Sequence, residues 1–345
     1  MAPADRPDAH EGRPTLEVVA AHAGVSRATA SRVLRGASNV SEQAREAVLR
    51  AAQELSYTVN RAARSLVTRR SDSLAFVVAE DEQRLFGDPY FAGILRGAHA
   101  ATAEAGLQLL FVVASNAGDR AQFETYARGG HVDGALLVSL HGEDRLPSRL
   151  EAMGVPTVLN GRPFRDDGSL YSVDSDNVGG ARAATELLIA RGARRIATIT
   201  GPLDMTAGQD RLAGYQRALA AAGLAAPASL VAEGDFSHEG GARAMARLLD
   251  TVPELDAVFA ASDLTAHGAL QVLTERGRRV PDDVAVVGFD DVRLAELAIP
   301  PLTTIRQPIE ELGRRMAEVL VARINGGHPD LATVLPTEVV RRRSA

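Results

Sequence analysis

The sequence predicts a small all-α unit followed by a larger, two-lobed α/β body with two parallel, doubly wound sheets. Over residues 14–59 apolar residues recur at helical spacing in three short segments punctuated by Gly and Ser. From Ser73 onward aliphatic runs such as LAFVVA, LQLLFVVA, GALLVSL, RIATIT and VAVVGF alternate with amphipathic helices, the pattern of parallel strands beneath covering helices. About ten such runs exceed what one doubly wound sheet usually holds, which calls for two similar lobes with a cleft between them.

Residues 1–13, rich in Pro, Asp and Gly without a hydrophobic period, are expected to be disordered. In the small unit Leu16, Val19, Ala20 and Ala23 share one helical face and Gly24 stops the helix. Ser26 is placed to cap a second helix through about Leu34, which Gly36 ends. Ser41 caps a third, with Val48, Leu49, Ala52 and Leu55 at core spacing.

The chain's 345 residues, 46% hydrophobic, supply ample cores. No run approaches the roughly 18 uncharged apolar residues of a membrane span. The opening MAPADRPDAHEGRP lacks the basic start and apolar stretch of a secretory signal, so a cytoplasmic protein with no membrane partner is expected. Cysteine is absent, which removes disulfides, thiolate nucleophiles and most structural zinc sites. All 38 basic residues are arginine, which removes the lysine of a phosphate loop and of Schiff-base chemistry. The eight histidines show no metal-ligand spacing, and neither GxGxxG after a strand nor GxSxG occurs. Asp174 and Asp176 read as a cleft rim and a helix cap. The expectation is no enzyme, no cofactor and no metal.

The net charge of −6 hides an asymmetry. Residues 13–70 hold ten Arg against four Glu, and residues 71–345 hold 27 Arg against 37 acids. A basic front on an acidic body suits a phosphate-binding module carried by a domain with another task. Within that front GVSRATASRVLRG, residues 24–36, has the helix, turn and helix of a DNA-reading unit whose second helix enters the major groove. Ser26, Thr29 and Ser31 can donate to phosphates, Arg27 and Arg32 can reach base edges, and Ala28 can meet a thymine methyl. In NRAARSLVTRR, residues 60–70, four arginines surround Leu66, which fits a hinge helix that wedges a minor-groove base step. The bland alternatives are a solvated helical hairpin and a solvated linker.

TLEVVAAHAGVSRATASRVLRGASNVS followed by NRAARSL resembles the amino-terminal module of the LacI/GalR regulators. HVDGALL, DN at 176–177, GPL…RLAGY, GDF, VPDDVAVVGFDD and PPLTTIRQP continue the likeness in that family's order, from Thr15 nearly to the end. The resemblance implies an all-α helix-turn-helix DNA-binding domain, residues 14–59, a hinge at 60–70, and a periplasmic-binding-protein-like effector and dimerisation domain, residues 71–345. Its first lobe would comprise about 71–174 and 306–332, and its second about 175–305 and 333–345. Base reading is implied for Arg27, Ala28 and Arg32, DNA contact for Thr15, Leu16, Ser26, Thr29, Ser31, Asn39, Tyr57, Asn60 and Arg61, and wedging for Ala63 and Leu66. Two departures stand out. Val18 replaces the usual acid, removing a capping-box partner for Thr15, and Thr58 and Val59 replace a proline-containing approach to the hinge.

In parallel α/β lobes ligands bind at the carboxyl ends of strands. Tyr90, Phe91, Arg162, Phe236, Ser262, Asp263 and Asp290 follow strand-like runs, a polar and aromatic set suited to a sugar face and its hydroxyls. Phe289 is expected in the core, and Asp263 has a rival role as a helix cap. The resemblance adds Arg211 and supports Phe236 and Asp290. Members that bind a nucleobase carry Arg and Thr after GPL, where this chain has Met205 and Ala207. The expected function is therefore a DNA-binding transcriptional regulator, a repressor, acting as a homodimer on a near-palindromic operator under control of a sugar-like effector. The alternative, a solute-binding protein of the same two-lobe fold, would need export and has no use for a basic front.

Overall fold

The computed structural model describes residues 14–34, 39–57, 70–165 and 168–345. They form two compact units, one ending at Ser71 and one running from Asp72 to Ala345.

The first unit holds α1 (Leu16–His22), α2 (Arg27–Leu34) and α3 (Glu42–Glu54). Thr15 Oγ1 accepts the Val18 amide and Ser41 Oγ accepts the Ala44 amide, so both helices keep their caps. The absent acid at position 18 thus leaves the Thr15 cap in place. Ser26 Oγ accepts the Thr29 amide and begins α2 where the sequence places it. Six buried residues, Val19, Ala20, Ala30, Val33, Val48 and Ala51, form the core. Leu49 is 52% exposed, so the third helix turns Val48 and Ala51 inward rather than Leu49. The expected helix end at Gly36 lies outside the described residues.

The second unit contains two sheets of six strands with the same winding. The first follows the order β11-β5-β4-β3-β1-β2, all parallel, from β1 (Ser73–Val78), β2 (Gln108–Val113), β3 (Gly134–Val138), β4 (Thr157–Asn160), β5 (Tyr171–Ser175) and β11 (Ala332–Leu335). The second follows β12-β10-β9-β8-β6-β7, from β6 (Ile196–Thr200), β7 (Val231–Glu233), β8 (Ala257–Ala260), β9 (Ala285–Asp290), β10 (Thr303–Arg306) and β12 (Glu338–Val340). Only β12 runs antiparallel, against β10, which modifies the all-parallel expectation at one edge. Because β11 pairs with β5, the chain's last crossing comes after Leu335 and not at 332.

Helices cover both faces of each sheet. They are α4 (Glu82–Gly87), α5 (Pro89–Glu104), α6 (Ala117–Arg128), α7 (Leu146–Ala152), α8 (Asn177–Ala190), α9 (Thr206–Ala221), α10 (His238–Thr251), α11 (Asp263–Glu275), α12 (Arg293–Leu297) and α13 (Ile309–Ile324). Helix α13 returns to the first lobe and packs on α5 so closely that a Cβ on Gly97 would sit 1.8 Å from the Glu310 carbonyl. That contact requires glycine and fixes the lobe's outer layer. With strand order 2-1-3-4-5 in both lobes, the carboxyl ends of the two sheets form the walls of one cleft.

Candidate functional sites

The cleft opens into a cavity of about 300 Å³ lined by residues that follow strand ends in both sheets. On the second-lobe wall, Arg211 of α9 is 5% exposed and lies at the centre. Its Nε donates to Asn177 Oδ1 at 2.8 Å, its Nη1 donates to the Ala261 carbonyl, and Nη1 is 3.6 Å from Asp290 Oδ1. The guanidinium stacks 3.7 Å from the centroid of the Phe289 ring, which is fully buried as the sequence suggests. A planar cation held this way has one orientation.

Asp290 closes β9 with φ +114°, and Gln307 Nε2 donates to its Oδ1 at 2.6 Å while Gln307 Oε1 accepts from Ser175 Oγ at 2.7 Å. Burial pushes the Asp290 carboxyl up to about 7. Phe236, at φ +63°, lays its ring over Gly201, where a Cβ would meet ring atoms at 2.0 Å; no other residue fits beneath it. Met205, Ala207 and Ala261 pack with Phe236 into an apolar floor. Ser139, Phe236 and Asp290 are three of the six non-glycine positive-φ residues among those described, so backbone strain concentrates at the cleft.

The first-lobe wall is more open. Tyr90, at the start of α5, donates from its hydroxyl to Asn160 Oδ1 at 2.8 Å. Asp88 caps that helix through the Tyr90 amide. Burial raises the carboxyls of Asp88 and Asp174 and the Tyr90 hydroxyl above their ordinary ranges. Arg162, after β4, reaches across the cleft. Its Nε and Nη2 donate to the two carboxylate oxygens of Asp210, both at 2.8 Å, and Thr206 Oγ1 returns a bond to its carbonyl at 3.0 Å.

Of the eight residues predicted for this site, Tyr90, Arg162, Arg211, Phe236, Ser262 and Asp290 come together on the cavity. Phe91 touches its edge but is 3% exposed and belongs to the first-lobe core. Asp263 is a correction: it is fully buried behind the wall, accepting from the Val292 amide at 2.9 Å and from Thr304 Oγ1, while Ser262 caps α11. Its carboxyl braces Val292, in the loop that follows Asp290 and β9. Asn160, Asn177 and Gln307 line the cavity without having been singled out as ligand residues.

In the small unit, α2 presents Ser26, Arg27, Ala28 and Arg32 as exposed side chains, with Thr29 and Ser31 half-buried. Arg27 Nε lies 2.6 Å from Glu17 of α1, an exposed pair that yields at little cost to a stronger anion. Arg32 Nε donates to the Ala28 carbonyl at 3.3 Å. Asn39 is exposed, whereas Leu16 and Tyr57 pack against the core of the unit. Asn60, Arg61, Ala63 and Leu66 lie outside the described residues. No helix among the described residues is long and apolar enough to cross a membrane, and none of their side chains cluster as a metal site.

Comparison with known proteins supplies the context for these two sites. Residues 15–60 match the model of bacterial regulatory proteins of the lacI family, and residues 185–345 match a periplasmic binding protein-like domain. The HTH-type transcriptional regulator CelR of Thermobifida fusca is 51% identical over 96% of this chain and 98% of its own. The ribose operon repressor of Escherichia coli K12 is 36% identical over 90% and 93%. A CelR–cellobiose complex superposes with a TM-score of 0.78 at 49% identity, covering 96% of this chain and 100% of the other. The lac repressor dimer bound to operator and an anti-inducer superposes with 0.84 at 28% identity, covering 96% and 99%. With a capped helix pair at its amino end and a two-walled cleft in its body, the chain belongs to the LacI family of bacterial regulatory proteins.

Proposed function

We propose that this regulator represses transcription as a cytoplasmic homodimer on a near-palindromic operator, and that an uncharged sugar in the cleft, a β-linked glucose disaccharide such as cellobiose, weakens that grip. The observation that carries the sugar reading is the Arg211–Asp290 fork beside the Phe236 ring. The fork suits paired hydroxyls and the ring suits a sugar's apolar face. Phosphorylated sugars fit poorly. Arg211 is committed to Asn177, Ala261 and Asp290, Arg162 to Asp210 and Arg84 to Glu80, and the carboxyls of Asp88 and Asp174 line the same cavity. The likeness to a cellobiose-bound regulator over 96% of the chain agrees with this reading.

On the DNA side, Arg27 and Arg32 read bases, Ser26, Thr29 and Ser31 hold phosphates, and Leu66 wedges the minor groove between paired hinges. Two modules are needed because one buries too little surface for tight specific binding. Calorimetric titration with cellobiose, glucose 6-phosphate and a purine tests the cleft: cellobiose binds and the others do not, and saturation by the phosphate sugar refutes the reading. Mobility shifts on DNA upstream of the chain's own gene and its neighbours test the front. Affinity falls steeply with salt, and Arg32→Ala loses about 1–3 kcal/mol of discrimination. Equal affinity for operator and random duplex refutes specific reading.

A further inference from the structure

His141 follows β3 at the mouth of the cleft, and each of its ring nitrogens faces a carboxylate on a different lobe. Nε2 lies 3.1 Å from Glu80 Oε1, at the end of β1 in the first lobe, and Nδ1 lies 3.0 Å from Asp204 Oδ2, in the loop before α9 in the second. Beside this contact the Gly142 amide donates to the Asp204 carbonyl at 2.7 Å, so the two loops are in register. A neutral imidazole has one donor and one acceptor nitrogen, and a carboxylate accepts only. Both contacts are hydrogen bonds only when the ring carries both protons.

We propose that His141 is a protonation-dependent clasp: as imidazolium it ties the first lobe to the second across the cleft, and on losing its proton it releases one of the two. The surroundings leave this role to histidine. Glu80 is 6% exposed, receives the Ser139 hydroxyl and has Arg84 at 3.3 Å, so it stays an anchored acceptor. The other charges around His141 are paired among themselves, Arg120 with Asp144 at 2.9 Å, Arg149 with Glu124 at 3.1 Å, and Arg165 with Glu143. Among the described residues, the side chain that Asp204 pairs with is His141. The Glu80 contact, followed by that of Asp204, holds the ring's pKa above the ordinary histidine value. The second interlobe strap is the bidentate Arg162–Asp210 pair, which contains no histidine.

The sign follows from linkage. Opening removes Asp204 from the ring and lowers its pKa, so the closed arrangement is favoured below the open-state pKa and loses that support as pH rises through the closed-state pKa. The test uses the full chain without any sugar, so its outcome is independent of the effector assignment. Because the sequence lacks cysteine, Gln122→Cys on α6 and Gln216→Cys on α9, both exposed, give one spin label per lobe, diluted with unlabelled chain. Between about pH 5.5 and about pH 8.5 the closed-to-open ratio falls, by about tenfold for each unit separating the two pKa values. Asp290→Asn, which removes the titration of the cleft carboxyl, keeps this response, and adding His141→Gln to it makes the ratio flat with pH. Nitrogen-15 spectra of histidine-labelled wild type show two protonated nitrogens on His141 at neutral pH, and Asp204→Asn lowers its pKa. A pH response retained when His141→Gln is added to Asp290→Asn, unchanging wild-type distances, or a neutral His141 ring at neutral pH each overturns the proposal.

Discussion

On the second-lobe wall Arg211, Phe236, Ser262 and Asp290 are at most 7% exposed and are fixed by bonds or packing within that lobe. On the first-lobe wall Tyr90 and Asn160 are half-buried, and Arg162 is exposed and finds its partners across the gap. One wall is fixed within its own lobe; the other is completed by contacts across the cleft. The positive φ of Phe236 and Asp290 fits this division, since strain of about 1–3 kcal/mol per residue persists only where the surroundings over-determine the backbone. A preformed wall spends little ordering energy on binding, and a movable wall converts occupancy into lobe movement.

The largest break in this contrast comes from the centre of the finished wall. Arg211→Met keeps length and removes the charge, leaving Asp290 buried without its cation and Asn177 Oδ1 without a donor. The body is expected to lose about 3 kcal/mol in urea melts, the scale for orphaning one member of a buried pair, and cellobiose binding to weaken by about a hundredfold or more. A variant that melts like wild type would mean that the wall does not depend on this cation.

Asp290 sharpens the same point through pH. Its carboxyl is raised to about 7 by burial from an ordinary value of 3.8, so the folded protein resists its ionisation. The group's contribution to stability is greatest below about pH 4 and diminishes as pH rises towards 7. Asp290→Asn preserves shape and removes the titration. The stability of the variant relative to wild type should therefore rise between about pH 4 and about pH 7 and level off above. Parallel curves would mean that Asp290 is already ionised throughout.

How much of the site was legible in the sequence differs between the walls as well. The strand-end rule finds Tyr90, Arg162, Phe236, Ser262 and Asp290 because they come after aliphatic runs that read unambiguously as strands. Gln307 escapes because β10, with sequence TTIR, has two threonines and an arginine where the rule expects aliphatics, although it sits at a strand end like the rest. Asn160 escapes because it reads as part of the run PTVLN, while Asp290, equally the last residue of its strand, comes after the run VAVVG. Asp263 is misplaced for a related reason. Adjacent residues at a helix start face different ways, and here Ser262 faces the cavity while Asp263 turns inward to Thr304 and Val292. In the small unit the caps at Thr15, Ser26 and Ser41 are read from local chemistry alone, but the orientation of Leu49 depends on how three helices meet, which one-dimensional periodicity fixes only to within a neighbouring position.

The smallest effect belongs to the movable wall. Arg162→Ala removes a bidentate pair with Asp210 whose arginine side chain is 43% exposed, so solvent already screens much of the attraction. Stability should change by no more than about 0.5 kcal/mol, since exposed pairs contribute little to the folded state of either lobe. Its influence is on closure, because Arg162 is bonded to the second lobe through both its guanidinium and its carbonyl. Removing the guanidinium should weaken cellobiose binding by about three- to tenfold, mainly through faster release, while urea melts of the ligand-free body overlay those of wild type. A stability loss as large as that of Arg211→Met would place Arg162 in the permanent framework and erase the distinction between the walls. An unchanged release rate would leave closure to the Gly142–Asp204 contact and the His141 clasp, which meet the second lobe two residues before Thr206.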